Sequence, residues 1–62
     1  MKMNNHAIGL DVGATNIRIG IVDSSGNILW RSKAPTPIDD QNEFISVVSR
    51  LIDEARDVAV NT

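Results

Sequence analysis

The chain has 62 residues, no cysteine, one histidine and a formal net charge of −2. A chain this short makes at most one small domain, burying only about 60% of the surface its unfolded form exposes, and no disulfide or cysteine zinc site can reinforce it. Its acidic balance, with one Trp and one Phe, gives no footprint for nucleic acid, and the N-terminal apolar run, broken at Asp11, is too short for a signal peptide or membrane span.

Charge is skewed along the chain. Residues 1–33 hold Lys2, Arg18, Arg31 and Lys33 against Asp11 and Asp23, whereas residues 34–62 hold Arg50 and Arg56 against six acids. Residues 1–6 are polar and are expected to form a tail, with His6 solvated. Alternation of apolar with small or polar residues then predicts a first strand over Ala7–Val12. Ile8, Leu10 and Val12 share one face of it; Ala7, Gly9 and Asp11 share the other, which leaves room for a ligand. A second strand over Asn16–Val22 places Ile17, Ile19 and Ile21 opposite Arg18, Gly20 and Val22. Asp23-Ser24-Ser25-Gly26-Asn27 reads as a turn, since Asp suits the first position of a type I turn and Gly the last. The third strand is expected over Ile28–Lys33, with Trp30 packing, Lys33 guarding an edge, and Pro35 and Pro37 ending the ladder.

After a proline-rich connector over 34–39, a helix is expected over 40–60. Asp40 with Glu43 three residues on forms a start resembling a capping box. Phe44, Val47, Val48, Leu51, Ile52, Ala55, Val58 and Ala59 recur at helical spacing as one apolar stripe. The Asp39-Asp40 pair reads as this helix start rather than a metal site. The whole is an α/β arrangement: a three-stranded antiparallel meander over 7–33, then one helix.

The chemistry concentrates where the first strand meets the second. Asp11-Val12-Gly13-Ala14-Thr15-Asn16 gathers a carboxylate, a glycine and a hydroxyl at a tight turn. Such a turn can aim backbone N–H groups at a phosphate, because glycine has no side chain to hold the anion off. It can equally be a hairpin turn chosen for its geometry alone. The carboxylate is the odd member. Like charges 4 Å apart repel by about 1 kcal/mol in water and about 4 kcal/mol at an effective dielectric of 20. Asp11 beside a triphosphate therefore needs a cation between, ordinarily magnesium; otherwise it is a strand-end Asp satisfied by turn N–H groups. Arg18 can reach a phosphate or a carboxylate, or stand in solvent. There is no Gly-Lys-Ser/Thr for a P-loop, no G-x-G-x-x-G for a dinucleotide fold, and no Ser-His-Asp or Cys-His set.

The run IGLDVGATNIRIGIVD over residues 8–23 resembles the first phosphate motif of the sugar kinase, heat-shock ATPase and actin superfamily. With the Lys-Ala-Pro-Thr-Pro connector and the helix, it most resembles the ROK family of bacterial sugar kinases and repressors, from Ala7 to about Ala59. Ala14 stands where many members carry a second Gly; its methyl group either crowds a phosphate or marks a subfamily, and allose-kinase-like members resemble this chain there. The resemblance implies the opening of a ribonuclease-H-like (actin-like ATPase) lobe. It implies ATP and Mg2+ as cofactors, with Asp11, Gly13, Ala14, Thr15, Asn16 and Arg18 around the phosphates and Asp11 reaching the metal through water. The general base, adenosine pocket, sugar-recognition residues and zinc-binding Cys/His segment of such proteins lie beyond residue 62. The expectation is thus the N-terminal part of a cytoplasmic ATP-dependent hexose kinase, inactive alone, for glucose, an N-acetylated amino sugar or allose, with Ala14 favouring the last.

Three rivals stand beside this reading. A ROK regulator senses sugar with the same lobe, but resembles this chain only after a winged-helix segment, for which the start of strand one near residue 7 leaves no room. A non-sugar ATPase or phosphotransferase of the superfamily is separable by a substrate panel. An inactive relic is the third. The family fold sets a fourth strand beside strand one; without it that edge is open, and self-association is expected.

Overall fold

A computed structural model of the chain describes residues 6–61. Its elements run β1 (His6–Val12), β2 (Asn16–Asp23), β3 (Ile28–Pro35) and α1 (Gln41–Val60). The strands form one antiparallel sheet in the order β1-β2-β3, and the α/β arrangement is the one expected from the sequence. The expected tail over residues 1–5 lies outside the described residues. His6, expected as a solvated tail residue, instead opens β1 opposite Asp23. It is half-buried, and its Nδ1 is enclosed with no hydrogen-bond partner among the described residues.

The core lies between one sheet face and the helix. Ile17, Ile19 and Ile21 of β2, Ala34 of β3, and Leu51, Ala55 and Ala59 of α1 are buried, and Phe44, Val47, Val48, Ile52 and Val58 pack against them. The eight residues of the predicted helical stripe are therefore the eight that meet the sheet. Helical residues at i, i+3 and i+4 project to one side, and alternate strand residues do the same, so the two patterns close on each other. The helix is started by Asp40, whose Oδ1 accepts from the Glu43 N–H at 3.0 Å, satisfying one of the unpaired N–H groups of the first turn. Asp39 just before it has φ 61°, a left-handed conformation that Asp tolerates better than most residues.

Two features of the sheet are set by packing and pairing, and the second departs from expectation. The apolar side of β1 is not covered: register sets Ile8, Leu10 and Val12 beside Ile21, Ile19 and Ile17, yet Leu10 is 43% and Val12 51% exposed. The helix packs on β2 and β3, so only Ile8 joins the core. The ladder also continues past Lys33 to Pro35, which pairs with Asn16. Alternate residues of a strand turn their N–H groups to opposite sides. The Thr36 N–H donates to the Thr15 carbonyl of the inner side at 2.9 Å. The nitrogen of Pro35 consequently faces the free edge of β3, where a missing donor costs nothing. A bulge between Ile21 and Val22 leaves Leu29 out of register.

The β2–β3 turn is closed by one side chain. Asp23 Oδ1 accepts from the N–H groups of Ser25 and Asn27, each at 2.9 Å, and Asn27 Nδ2 donates to Oδ2 at 3.1 Å. The Gly26 N–H donates to the Asp23 carbonyl at 3.1 Å, and Gly26 has φ 87°, which glycine adopts at least cost. The backbone N–H of Asn27, then its side-chain amide, hold the Asp23 carboxyl below the ordinary aspartate value. Desolvation opposes this in part, and the Ser25 N–H and the charge on His6 add to the lowering. A group lowered on folding stabilises the fold above its unfolded value and loses that contribution as pH falls through the folded one. The turn should therefore hold at neutral pH and loosen on acidification below the ordinary aspartate range. The Ser25 and Asn27 amide shifts, followed by NMR, should report a carboxyl titrating below an unstructured Asp. Titration at the unstructured value would contradict the bonded geometry.

Candidate functional site: the β1–β2 turn and the open sheet face

The face of the sheet opposite the helix carries the polar residues of the strands. Register aligns Asp11, Arg18 and Lys33 in one row across β1, β2 and β3, and Gly9, Gly20 and Arg31 in the next. The glycine pair lowers the floor between the side chains. A concave depression of about 370 Å³, open to solvent, is lined there by Gly9, Asp11, Arg18, Gly20, Val22 and Arg31 among others. Asp11 and Arg18 are exposed cross-strand neighbours, and neither is held in an ion pair among the described residues.

At one end of this face is the turn joining β1 and β2. The Gly13 N–H donates to the Asn16 carbonyl at 2.9 Å, so what Gly13 offers a ligand is its missing side chain and not its N–H. The N–H groups of Ala14 and Thr15 have no acceptor among the described residues, and both residues are exposed. Two unpaired donors and a hydroxyl thus sit one strand-end away from the Asp11 carboxylate. No group of three or more His, Cys, Asp or Glu side chains that could hold a metal occurs among the described residues. A cation here would take Asp11 as its single carboxylate and complete its shell with water and phosphate oxygens, which suits magnesium. The chemistry of the donors present fits a magnesium–polyphosphate ligand.

Glycine at 13 has a steric reason independent of any ligand. A Cβ built there would stand 3.1 Å from the Asn16 carbonyl oxygen, a backbone atom that cannot rotate away. Gly13→Ala should therefore cost on the order of 1 kcal/mol of stability without nucleotide, and Gly13→Val more. Melting with and without magnesium-ATP separates the two roles of the position. A lower melting temperature with an unchanged ligand-induced rise means hairpin geometry alone; loss of that rise as well means close phosphate approach. A Gly13→Ala chain that melts with the parent would disprove the steric argument.

One contact at the turn was not expected from the sequence. The Thr36 hydroxyl donates to the Gly13 carbonyl at 2.8 Å, across 23 residues, while the Thr36 N–H donates to the Thr15 carbonyl. The connector thus touches the turn at two points. Pro35 and Pro37 on either side of a hydroxyl residue were the available signal, but no periodicity in the sequence says where such a segment docks.

A three-stranded antiparallel meander with this turn between its first two strands, followed by a helix across one face, is the opening of an actin-like ATPase fold. The chain matches the ROK family over residues 7–61 and belongs to it. It is similar to the N-acetyl-D-glucosamine kinases of Escherichia coli (strain K12 / DH10B), Escherichia coli O1:K1 / APEC and Escherichia fergusonii, at 38% identity over 47 residues in each case. The aligned stretch is 76% of this chain and 16% of each kinase, so the chain spans a small part of the length of the curated relatives it matches.

Proposed function

We propose that residues 6–36 bind the phosphates of ATP in a sugar kinase reaction, ATP + hexose → ADP + hexose phosphate. The observation that carries the reading is the pair of unpaired N–H groups at Ala14 and Thr15 beside an exposed Asp11, in a member of the ROK family. Phosphoryl transfer is largely a matter of positioning and charge neutralisation. In this proposal the Ala14 and Thr15 amides and the Thr15 hydroxyl take phosphate oxygens. Asn16 borders them, and Arg18 supplies positive charge from the neighbouring row. Asp11 would hold magnesium, which would supply the positive charge that offsets the carboxylate against the phosphates. The sugar hydroxyl attacks the γ-phosphorus, the bond to the β-phosphate oxygen breaks, and a carboxylate beyond residue 62 takes the hydroxyl proton.

The relatives support one substrate class ahead of the others. They are named for N-acetyl-D-glucosamine, one of the three hexoses the sequence left open, and an N-acetylated amino sugar is therefore proposed ahead of allose. Residues 1–62 are assigned the phosphate-binding step and not the transfer itself. Among the described residues no helix is long and apolar enough to cross a membrane, and a cytoplasmic place, where ATP is plentiful, is proposed. The test is ADP release by a two-lobed kinase carrying this segment, against glucose, N-acetylglucosamine, N-acetylmannosamine and allose. Hexose-independent ATP hydrolysis would overturn the sugar kinase reading, and activity only on allose would overturn the amino-sugar preference.

A further inference from the structure

We propose that Thr36 is a positioning residue that aims the amides of the β1–β2 turn, an inference that rests on the phosphate-binding reading above. The argument begins with peptide geometry. In a planar trans peptide the carbonyl of one residue and the N–H of the next point in opposite directions, and no described peptide bond is cis. The Thr36 hydroxyl holds the Gly13 carbonyl at 2.8 Å, which fixes the Gly13–Ala14 peptide plane and turns the Ala14 N–H away from the connector. The Thr36 N–H holds the Thr15 carbonyl at 2.9 Å and fixes the Thr15–Asn16 plane in the same manner. Two alternate peptides of one turn are thereby oriented by a single residue, with the Ala14 and Asn16 amides directed to the side opposite Thr36; the Thr15 N–H lies on the peptide between them and is confined through both neighbours.

The sequence around Thr36 makes it suited to this. Pro35 and Pro37 carry no N–H, so the Thr36 N–H is the only backbone donor in the tripeptide. A residue before proline is also kept in extended conformations, which restrains Ala34 and Thr36 alike. Ala34 is buried in the core and anchors the connector two residues away. The link between Thr36 and Gly13 is partly buried, where water competes with it less than on the open surface. Without the hydroxyl, the Gly13–Ala14 plane would have no bond to its own carbonyl or N–H among the described residues: the Gly13 N–H bond to Asn16 lies on the preceding peptide, and the Thr36 N–H bond to Thr15 lies two peptides on.

Thr36→Val keeps the shape and the backbone N–H and removes the hydroxyl alone; Thr36→Ser keeps the hydroxyl. Both are compared with the parent 62-residue chain in two measurements. The first is amide hydrogen exchange at Gly13, read against Leu51 and Ala55 in the helix core. The second is binding of magnesium tripolyphosphate, followed through the Ala14 and Thr15 amide shifts. Thr36→Val should speed exchange at Gly13 and weaken tripolyphosphate binding, each by about fivefold, the equilibrium worth of one hydrogen bond. Core amides should be unchanged, and Thr36→Ser should match the parent. Parent-like behaviour of Thr36→Val, or Thr36→Ser behaving as Thr36→Val, would overturn the proposal. So would an equal loss of protection in the helix core, which would make Thr36 a residue of the fold at large. If the parent does not bind tripolyphosphate, the phosphate-binding reading fails and Thr36's role in ligand binding fails with it. The Gly13 exchange ratio then decides separately whether the hydroxyl sets the turn.

Discussion

Leu51→Ala should leave most of the chain unfolded at room temperature. Leu51 is 1% exposed and is among the largest fully buried side chains, with Ile17 and Ile21. Truncating a buried leucine to alanine costs about 2–5 kcal/mol, as lost transfer energy plus the cavity left behind. A single core in a domain of this size rarely supplies more than about 3–5 kcal/mol in all. The two quantities are comparable, so one substitution can exhaust the margin. Ile45→Ala, on the same helix at a position 52% exposed, should change stability by no more than about 0.5 kcal/mol. Urea titration followed by circular dichroism would compare the three chains. A Leu51→Ala midpoint close to that of Ile45→Ala would mean that the helix does not hold the sheet in the way described.

Asp11→Ala should lower the turnover of a kinase carrying this segment by about 100-fold or more, the scale on which removing one electrostatic contact to a developing charge acts. The carboxylate is exposed at the end of β1 and is not part of the core, so the same change should leave the melting temperature nearly as it was. Sugar affinity should change far less than turnover, because the role proposed for Asp11 concerns the phosphoryl group. Equal turnover by mutant and parent at saturating magnesium-ATP would remove Asp11 from the metal role. Loss of turnover accompanied by an equal loss of stability would instead make Asp11 a structural residue.

The same two residues illustrate what could be read in advance. Leu51 belongs to a stripe whose period of 3.6 is written in the helix sequence itself, and Asp40 with Glu43 marks where that helix starts. The strand alternation that sets Ile17, Ile19 and Ile21 on one side of β2 is equally local. So is the Asp23–Gly26 turn, whose bonds span four residues or fewer. The chemical make-up of the 11–16 segment was legible for the same reason: a carboxylate, a glycine and a hydroxyl adjoin one another along the chain. Short-range patterns of this kind depend on backbone geometry that every residue shares, and they survive whatever packs around them.

Other features needed the third dimension. Leu10 and Val12 have the same alternation as the buried isoleucines and lie beside them, yet are about half exposed. Burial depends on where the helix crosses, and it crosses β2 and β3. Residue type alone ends the ladder at Pro35; which way its nitrogen faces, edge or partner, is a property of the pairing and not of proline. His6 belongs to β1 because Asp23 of the neighbouring strand lies opposite. Thr36 reaches Gly13 across 23 residues, a separation over which no local preference operates. By itself, then, the sequence determined the elements, their apolar faces and the residue types gathered at the turn, since each follows from backbone periodicity and residue chemistry within a few positions. Only the tertiary structure decided which apolar faces are covered, which N–H groups of the turn stay unpaired and which distant residue bonds to it, because these depend on how the helix and a proline-bounded connector lie across the strands.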